Sequence, residues 1–118
     1  MSVQIPIGDS ELQRVVDAIV SRFSPTLLML FGSAARGDVR ASSDYDLMVV
    51  MPDGTDRRRT AQAIYRVLAD VRGRSRGVDI VVVTEGEFAR GRDDLGTIVR
   101  VVHQEGRDLF RGAAAAVD

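Results

Sequence analysis

The strongest constraint on the fold lies in residues 30–50, LFGSAARGDVRASSDYDLMVV. An apolar segment stops at Gly32 and Ser33, ten small or polar residues follow, and a second apolar segment then begins with Asp44 and Asp46. A carboxylate inside an apolar strand loses its hydration, which is costly unless the group finds a partner or becomes protonated. The two aspartates therefore indicate a strand that begins at a functional site.

A divalent cation is the simplest partner for these carboxylates. Asp44 and Asp46 are two residues apart, so on a strand their side chains leave the same face, with Cα atoms about 6.5 to 7 Å apart, and their charges repel. Mg²⁺ prefers oxygen ligands and is commonly shared between carboxylates and phosphate groups. Asp79 stands near the start of a third apolar segment, VDIVVV. If that strand lies beside the second one, three carboxylates meet, enough for two metal ions or for one ion plus a base.

The residues after the first apolar segment predict a phosphate site beside these acids. Gly32 permits a close backbone approach. Ser33 is expected to cap a short helix through residues 34–36, whose free N–H groups attract an anion. Arg36 adds a positive charge that pairs either with a phosphate or with a neighbouring carboxylate.

Hydrophobic periodicity and turn residues predict the secondary structure. The predicted strands are Leu27–Phe31, residues 44–51, residues 78–83 and a brief strand at residues 109–110. The predicted helices are Ser10–Phe23, residues 56–72 and residues 97–104, the last of which is expected to bury Ile98, Val101 and Val102. The pattern indicates an α/β (α+β) fold in which helices flank a small mixed sheet, with one domain over residues 1–118.

Capping residues mark where two helices begin. Asp9 or Ser10 is expected to cap the first helix, and Ser10 with Gln13 fits a capping box. Thr84 with Glu87 fits a second capping box, which predicts a short helix directly after the third strand.

Composition excludes several classes of protein. The chain of 118 residues has no cysteine and one histidine, which excludes a thiolate metal site and makes a zinc site a poor explanation. The formal net charge of -1 argues against a general nucleic-acid coat. The first residues lack the features of a signal peptide, so we expect a cytoplasmic protein.

These motifs resemble those of the nucleotidyltransferase superfamily that includes DNA polymerase beta, and in particular its minimal nucleotidyltransferases. The pattern Gly-Ser, ten residues, Asp-x-Asp is matched without gaps, and the resemblance extends over most of the chain. It implies the polymerase beta-like fold and transfer of a nucleoside monophosphate from a nucleoside triphosphate to a hydroxyl group, with release of pyrophosphate.

The resemblance also implies a role for each candidate residue. Gly32 and Ser33 would bind the triphosphate, with Arg36 as a further phosphate contact. The metal site would be built by three carboxylates that hold Mg²⁺, with two ions expected: Asp44, Asp46 and Asp79. The last of these would also serve as a proton acceptor.

Minimal nucleotidyltransferases are often found beside a HEPN-domain protein, and some transfer AMP to a tyrosine of that partner. A chain of this length is expected to lack the acceptor-binding domain of larger relatives and to rely on another subunit for the acceptor. The resemblance therefore implies an antitoxin that modifies a HEPN toxin, with ATP as the donor. Two alternatives remain open. One is a binding module that neutralises its partner by complex formation alone, and the other is a nucleotidyltransferase that acts on a small molecule.

Two arginine clusters admit two interpretations. Arg57, Arg58 and Arg59 either form a solvated turn or contact a nucleic acid or an acidic partner surface. The loop with Arg72, Arg74 and Arg76 either is a solvated connection or contacts a triphosphate or a partner. His103 and Tyr45 are interpreted as structural residues, the latter because strand alternation turns it away from the two aspartates.

Overall fold

The computed structural model describes residues 2–3, 9–35, 44–73, 76–91 and 98–112 of the chain. The strands are β1 (Ser2–Val3), β2 (Leu27–Phe31), β3 (Tyr45–Met51), β4 (Val78–Thr84) and β5 (Arg107–Arg111). The helices are α1 (Ser10–Phe23), α2 (Gly32–Ala35), α3 (Arg57–Ala69), α4 (Glu85–Arg90) and α5 (Ile98–Glu105). Arg36 and Arg74 lie outside the described residues.

The strands form one mixed sheet in the order β1-β5-β2-β3-β4. β3 and β4 are parallel, whereas β2 runs antiparallel to both of its neighbours, β3 and β5. A parallel pair needs a crossover connection, which α3 supplies between β3 and β4. The predicted mixed sheet with flanking helices is confirmed, while the single domain over residues 1–118 stays a prediction.

Helices cover both faces of the sheet. One face packs against α1 and α3 and holds the larger apolar core, with Leu12, Val15, Val16, Ile19, Leu28, Leu30, Tyr45, Leu47, Val49, Ile64, Leu68 and Leu109 among its members. The other face packs against α5 and α4 through a smaller cluster that includes Leu27, Met29, Phe31, Met48, Val50, Val83, Val99 and Val102. No helix in the described parts of the chain combines the length and apolar character needed to cross a bilayer.

The start of α1 differs in detail from the prediction. Asp9 is the N-cap, and its Oδ1 accepts a hydrogen bond of 3.0 Å from the backbone N–H of Leu12. The capping box of Ser10 and Gln13 is therefore wrong, because Ser10 already lies in the first turn. The side chain of Gln13 instead donates to Asp17 at 2.9 Å.

The predicted buried face of α5 is also wrong for two of its three residues. Val102 is fully buried, as expected, but Ile98 is 44% exposed and Val101 is 41% exposed. Val99 takes the second buried position, so the face that packs against the sheet is rotated by one residue, about 100° around the helix. Because residues 98, 99, 101 and 102 are all apolar, hydrophobic periodicity alone could not identify which side of the helix is buried.

Other boundaries shift by a few residues. α3 ends at Ala69 rather than at residue 72, with Asp70 as its C-cap and Gly73 in a left-handed turn at φ +73°. β5 is longer than the predicted two residues and lies inside the sheet, between β1 and β2. The capping box of Thr84 and Glu87 is confirmed.

Candidate functional site

The parallel register of β3 and β4 brings two of the predicted acids together. Asp46 is the direct cross-strand neighbour of Asp79, just as Tyr45 is the neighbour of Val78. Side chains at paired positions leave the same face of the sheet, and by alternation Asp44 precedes them on that face. Asp44 and Asp79 are exposed and Asp46 is half-buried, so the acids stand at an accessible edge of the sheet.

Gly32 follows the last residue of β2 and lies against one of these acids. Its φ is +74°, a conformation that glycine adopts without strain. A Cβ atom at Gly32 would overlap Oδ2 of Asp46 and lie 3.1 Å from its Cγ. The glycine predicted to bind phosphate is thus in direct contact with a predicted metal ligand.

Gly77 is in contact with the carboxylate of Asp44, as Gly32 is with that of Asp46. A Cβ atom at Gly77 would lie 2.6 Å from Oδ1 and 2.9 Å from Cγ of Asp44. The carbonyl of Gly77 also accepts a hydrogen bond of 3.0 Å from the backbone N–H of Tyr45, which continues the pairing of β3 with β4 by one residue. In the sequence Gly77 carries no functional signal of its own, because a glycine before a strand is a common turn residue.

The carboxylates of Asp44 and Asp46 turn towards different neighbours. One lies over Gly77, before β4, and the other lies against Gly32, after β2. Within the described residues, no three acidic or histidine side chains are close enough together to hold a metal ion. The register therefore brings the acids to one edge of the sheet, but their side chains do not form a finished ligand cluster.

The donor set fits Mg²⁺. Three carboxylates supply the hard oxygen ligands that this ion prefers, and two of them are accommodated against glycines, Asp46 at Gly32 and Asp44 at Gly77. Asp44, Asp46 and Asp79 are the residues that would hold the ion, and their role as ligands stays a prediction.

The phosphate side of the prediction needs one correction. α2 begins at Gly32, so Ser33 lies within the first turn and does not cap the helix from outside. The helix thus begins two residues earlier than expected, and the positive φ of Gly32 marks the turn from β2 into α2. The predicted phosphate contact through Arg36 lies outside the described residues.

Tyr45 is buried on the opposite face of β3, as alternation predicted. Its hydroxyl donates to the carboxylate of Asp9, at 2.9 and 3.0 Å from the two oxygens, and the guanidinium carbon of Arg76 lies 4.8 Å from its ring centroid. Burial raises the pKa of Tyr45, with a further increase from the hydrogen bond to Asp9, so the phenol stays protonated at neutral pH. Tyr45, which stands between Asp44 and Asp46 in the sequence, therefore anchors β3 to the N-cap of α1.

The loop before β4 is joined to α1 by further contacts. The backbone N–H of Arg76 donates to Glu11 at 2.8 Å. The side chain of Arg14 donates to the carbonyls of Arg72 and Gly73, at 3.1 and 3.2 Å. Sequence patterns could not predict these contacts, because each joins residues more than fifty positions apart.

The first arginine cluster makes ion pairs on the protein surface. Arg57 lies 2.8 Å from Glu87, and Arg59 lies 3.9 Å from Asp56. Such exposed pairs contribute little to stability. Their presence favours the interpretation of this cluster as a solvated helix start.

A cavity of about 690 Å³ lies away from Asp44, Asp46 and Asp79. Its described lining includes Leu27, Val50, Glu85 and His103 and none of the predicted site residues. Val50 is four residues along β3 from Asp46, about 13 Å at the usual rise per residue. His103 Nε2 lies 2.7 Å from the carbonyl oxygen of Phe88, and the two rings stack at 4.1 Å, which bears out a structural role for the histidine.

Comparison with known proteins identifies the family. The sequence model of the nucleotidyltransferase domain family matches residues 12–109, which is most of the chain. The chain therefore belongs to the nucleotidyltransferase domain family and is a nucleotidyltransferase. A search of curated protein sequences finds no significant match.

Solved structures share the fold at low sequence identity. A protein from Sulfolobus solfataricus with a provisional nucleotidyltransferase assignment is 22% identical, with a TM-score of 0.55, and the match covers 92% of this chain and 93% of that one. A toxin-antitoxin structure with AMP-PNP is also 22% identical, with a TM-score of 0.54 and coverage of 86% and 74%. A mutant of the toxin-antitoxin MntA-HpeT is 20% identical, with a TM-score of 0.55 and the same coverage.

Proposed function

We propose that this protein is an antitoxin that transfers AMP from ATP to a tyrosine hydroxyl of a HEPN-domain toxin, in a reaction that requires Mg²⁺. The observation that carries the proposal is the pairing of Asp46 with Asp79 beside Gly32. It combines acidic oxygen atoms with the turn at Gly32, where we expect the phosphates to bind, and nucleotidyl transfer needs both.

In-line displacement at phosphorus depends on positioning and on neutralisation of developing charge. Gly32 and Ser33 would hold the triphosphate, and Asp44 and Asp46 would hold Mg²⁺ with Asp79. Bound there, the metal supplies charge neutralisation at the phosphates. The phenolic oxygen of the acceptor bonds to the α-phosphorus, the bond from that phosphorus to the bridging oxygen breaks, and pyrophosphate leaves. Asp79 accepts the phenolic proton.

The partner is inferred from similarity. The MntA-HpeT structures and the structure with AMP-PNP are toxin-antitoxin complexes, which supports a toxin partner and an adenine nucleotide for this chain. The HEPN identity of the partner and the tyrosine acceptor rest on the resemblance of the motifs alone. The accessible position of Asp44 and Asp79 suits an acceptor presented by a second protein.

The test is transfer of label from α-³²P-ATP to a co-purified HEPN-domain protein encoded beside this chain. With Mg²⁺, we expect label on the partner from the wild type and none from Asp46→Asn. Asp70→Asn is the matched control, since Asp70 is an exposed acid at the end of α3. Absence of transfer by the wild type, with every nucleoside triphosphate and a bound partner, would refute the proposal.

One observation favours a second function, neutralisation by binding alone. Ile98 and Val101 are exposed apolar residues one turn apart on α5, and burial of apolar surface drives protein association. If this hypothesis holds, the variant with both Asp44→Asn and Asp46→Asn still protects cells from the toxin. Loss of protection together with loss of label would support the enzymatic proposal instead.

A further inference from the structure

We infer that Gly77 is a positioning residue that leaves the space in which the carboxylate of Asp44 reaches towards β4 and Asp79. This inference rests on the proposed function, because it assumes that Asp44 is a metal ligand. Gly77 precedes β4 by one residue and continues the β3/β4 register, in which Tyr45 is paired with Val78. It is therefore the cross-strand neighbour of Asp44.

The register explains why a side chain at this position matters. Asp46 has the acid Asp79 as its neighbour on β4, whereas Asp44 has a residue without a side chain. The carboxylate of Asp44 occupies the place where that side chain would be, since a Cβ atom at Gly77 would lie 2.6 Å from its Oδ1. Leaning towards β4 is also the movement that brings Asp44 nearer to Asp79.

A side chain at position 77 should displace the carboxylate of Asp44 without destabilising the fold. The three atoms nearest to the added Cβ all belong to the carboxylate of Asp44, an exposed side chain that can rotate away. The φ of Gly77 is not in the left-handed region, so alanine introduces no backbone strain there. Gly77→Ala should thus keep the stability of the protein and displace one metal ligand.

The experiment measures Mn²⁺ binding to the full chain by titration calorimetry, with thermal unfolding of the same samples. We expect Gly77→Ala to weaken Mn²⁺ binding about ten- to a hundredfold, as changes beside a metal ligand commonly do, and to leave the melting temperature unchanged. Gly86→Ala is the matched control. A Cβ atom there would lie 2.9 Å from Arg90 and 3.1 Å from the carboxylate of Asp53, also at the ends of flexible side chains.

A double-mutant cycle separates positioning from general damage. In an Asp44→Asn background, Gly77→Ala should not weaken Mn²⁺ binding further, because the ligand that it displaces is already gone. Unfolding of Gly77→Ala, unchanged binding, or an equal loss in both backgrounds would overturn the inference and leave the proposed function standing. A wild type that binds no Mn²⁺, with or without ATP, would overturn the metal-dependent proposal as well.

Discussion

The carboxylate of Asp46 rests against the backbone of Gly32, the residue that turns the chain from β2 into α2. The contact leaves no room for a Cβ atom at Gly32, and the φ of +74° at this residue separately favours glycine. Two requirements, one of space and one of backbone conformation, thus meet at the position where the predicted phosphate site touches the predicted metal site.

The substitution Gly32→Ala should therefore have two effects: a loss of stability from backbone strain, and a larger loss of nucleotidyltransferase activity from displacement of Asp46. Left-handed backbone costs a residue with a Cβ roughly 1–2 kcal/mol of stability. Displacement of Asp46 should also lower the proposed AMP transfer at least about a hundredfold, as small misplacements at reacting centres do. Urea unfolding and the labelling assay measure the two effects.

Gly54→Ala is the matched control for Gly32→Ala. Gly54 has a φ of +90° and no atom within 4 Å of the position of an added Cβ, so it suffers the strain without the contact. We expect Gly32→Ala and Gly54→Ala to lose similar amounts of stability, and only Gly32→Ala to lose activity. Full activity in Gly32→Ala would contradict the role given to the contact.

The pairing of Asp46 with Asp79 should make the protein less stable when no divalent cation is bound. Like charges directly opposite each other on neighbouring strands are destabilising. In EDTA, Asp79→Asn should therefore melt slightly above the wild type. Addition of Mg²⁺ should raise the melting temperature of the wild type and have a much smaller effect on Asp79→Asn, because binding to the folded state stabilises it.

Asp70→Asn provides the comparison for a generic loss of negative charge, since Asp70 lies at the end of α3 and on neither β3 nor β4. Its melting temperature should respond to Mg²⁺ as that of the wild type does. An Asp79→Asn variant with an undiminished Mg²⁺ response would show that Asp79 is not a ligand.

Much of the fold follows from local patterns. The bounds of β2 and of α1 agree with those predicted, because a buried apolar run and an amphipathic period are both properties of neighbouring residues. The position of β5 between β1 and β2 could not be predicted, since it depends on contacts across nearly the whole chain. The two residues of β1 are too few for a periodic signal.

For the candidate site, the positions of the acids on the strands were predictable, but the directions of their side chains were not. The alternation in β3 placed Asp44 and Asp46 on one face, and the expectation that Asp79 lies on a neighbouring strand is met by the register. The directions in which the carboxylates turn were not predictable, because they depend on the space beside Gly32 and Gly77. Cross-strand neighbours become visible only once the register is known.

The hydrogen bond between Tyr45 and Asp9 should contribute measurably to stability. Tyr45→Phe removes a buried hydroxyl that lies 2.9 Å from Oδ1 of Asp9. We expect a loss of about 1–3 kcal/mol, as for a hydrogen bond to a charged group, measured by urea unfolding at neutral pH. Tyr65→Phe is the control and should cost less, because its hydroxyl accepts from Ile80 on a half-exposed side chain.

The same bond predicts a pH dependence. Burial raises the pKa of Tyr45 above its usual value of 10.0. A group whose pKa is raised in the folded state contributes stability that is complete below the unfolded value and lost as the pH rises through the folded value. The stability difference between wild type and Tyr45→Phe should therefore be constant from neutral pH to about 9 and change only above 10; a change near pH 7 would contradict this assignment.

The capping box of α4 should give the opposite pH dependence. The pKa of Glu87 lies below its usual value of 4.5, chiefly because its carboxylate accepts the backbone N–H of Thr84 and further because it pairs with Arg57. A depressed pKa contributes stability that is present above the unfolded value and lost as the pH falls through the folded one. Glu87→Gln keeps an acceptor for Thr84 and removes only the charge. The stability advantage of the wild type over this variant should thus be present at pH 7 and be lost as the pH falls below 4.5, the usual pKa of a glutamate, as followed by urea unfolding.

Arg57→Gln separates the two causes of that shift. Because the backbone hydrogen bond of Thr84 is the larger cause and the ion pair with Arg57 is exposed, Arg57→Gln should cost only a few tenths of a kcal/mol. It should also leave most of the acid dependence of wild-type stability in place. If Arg57→Gln instead abolishes the stability difference between Glu87 and Gln at this position, the ion pair and not the cap holds the pKa of Glu87 low.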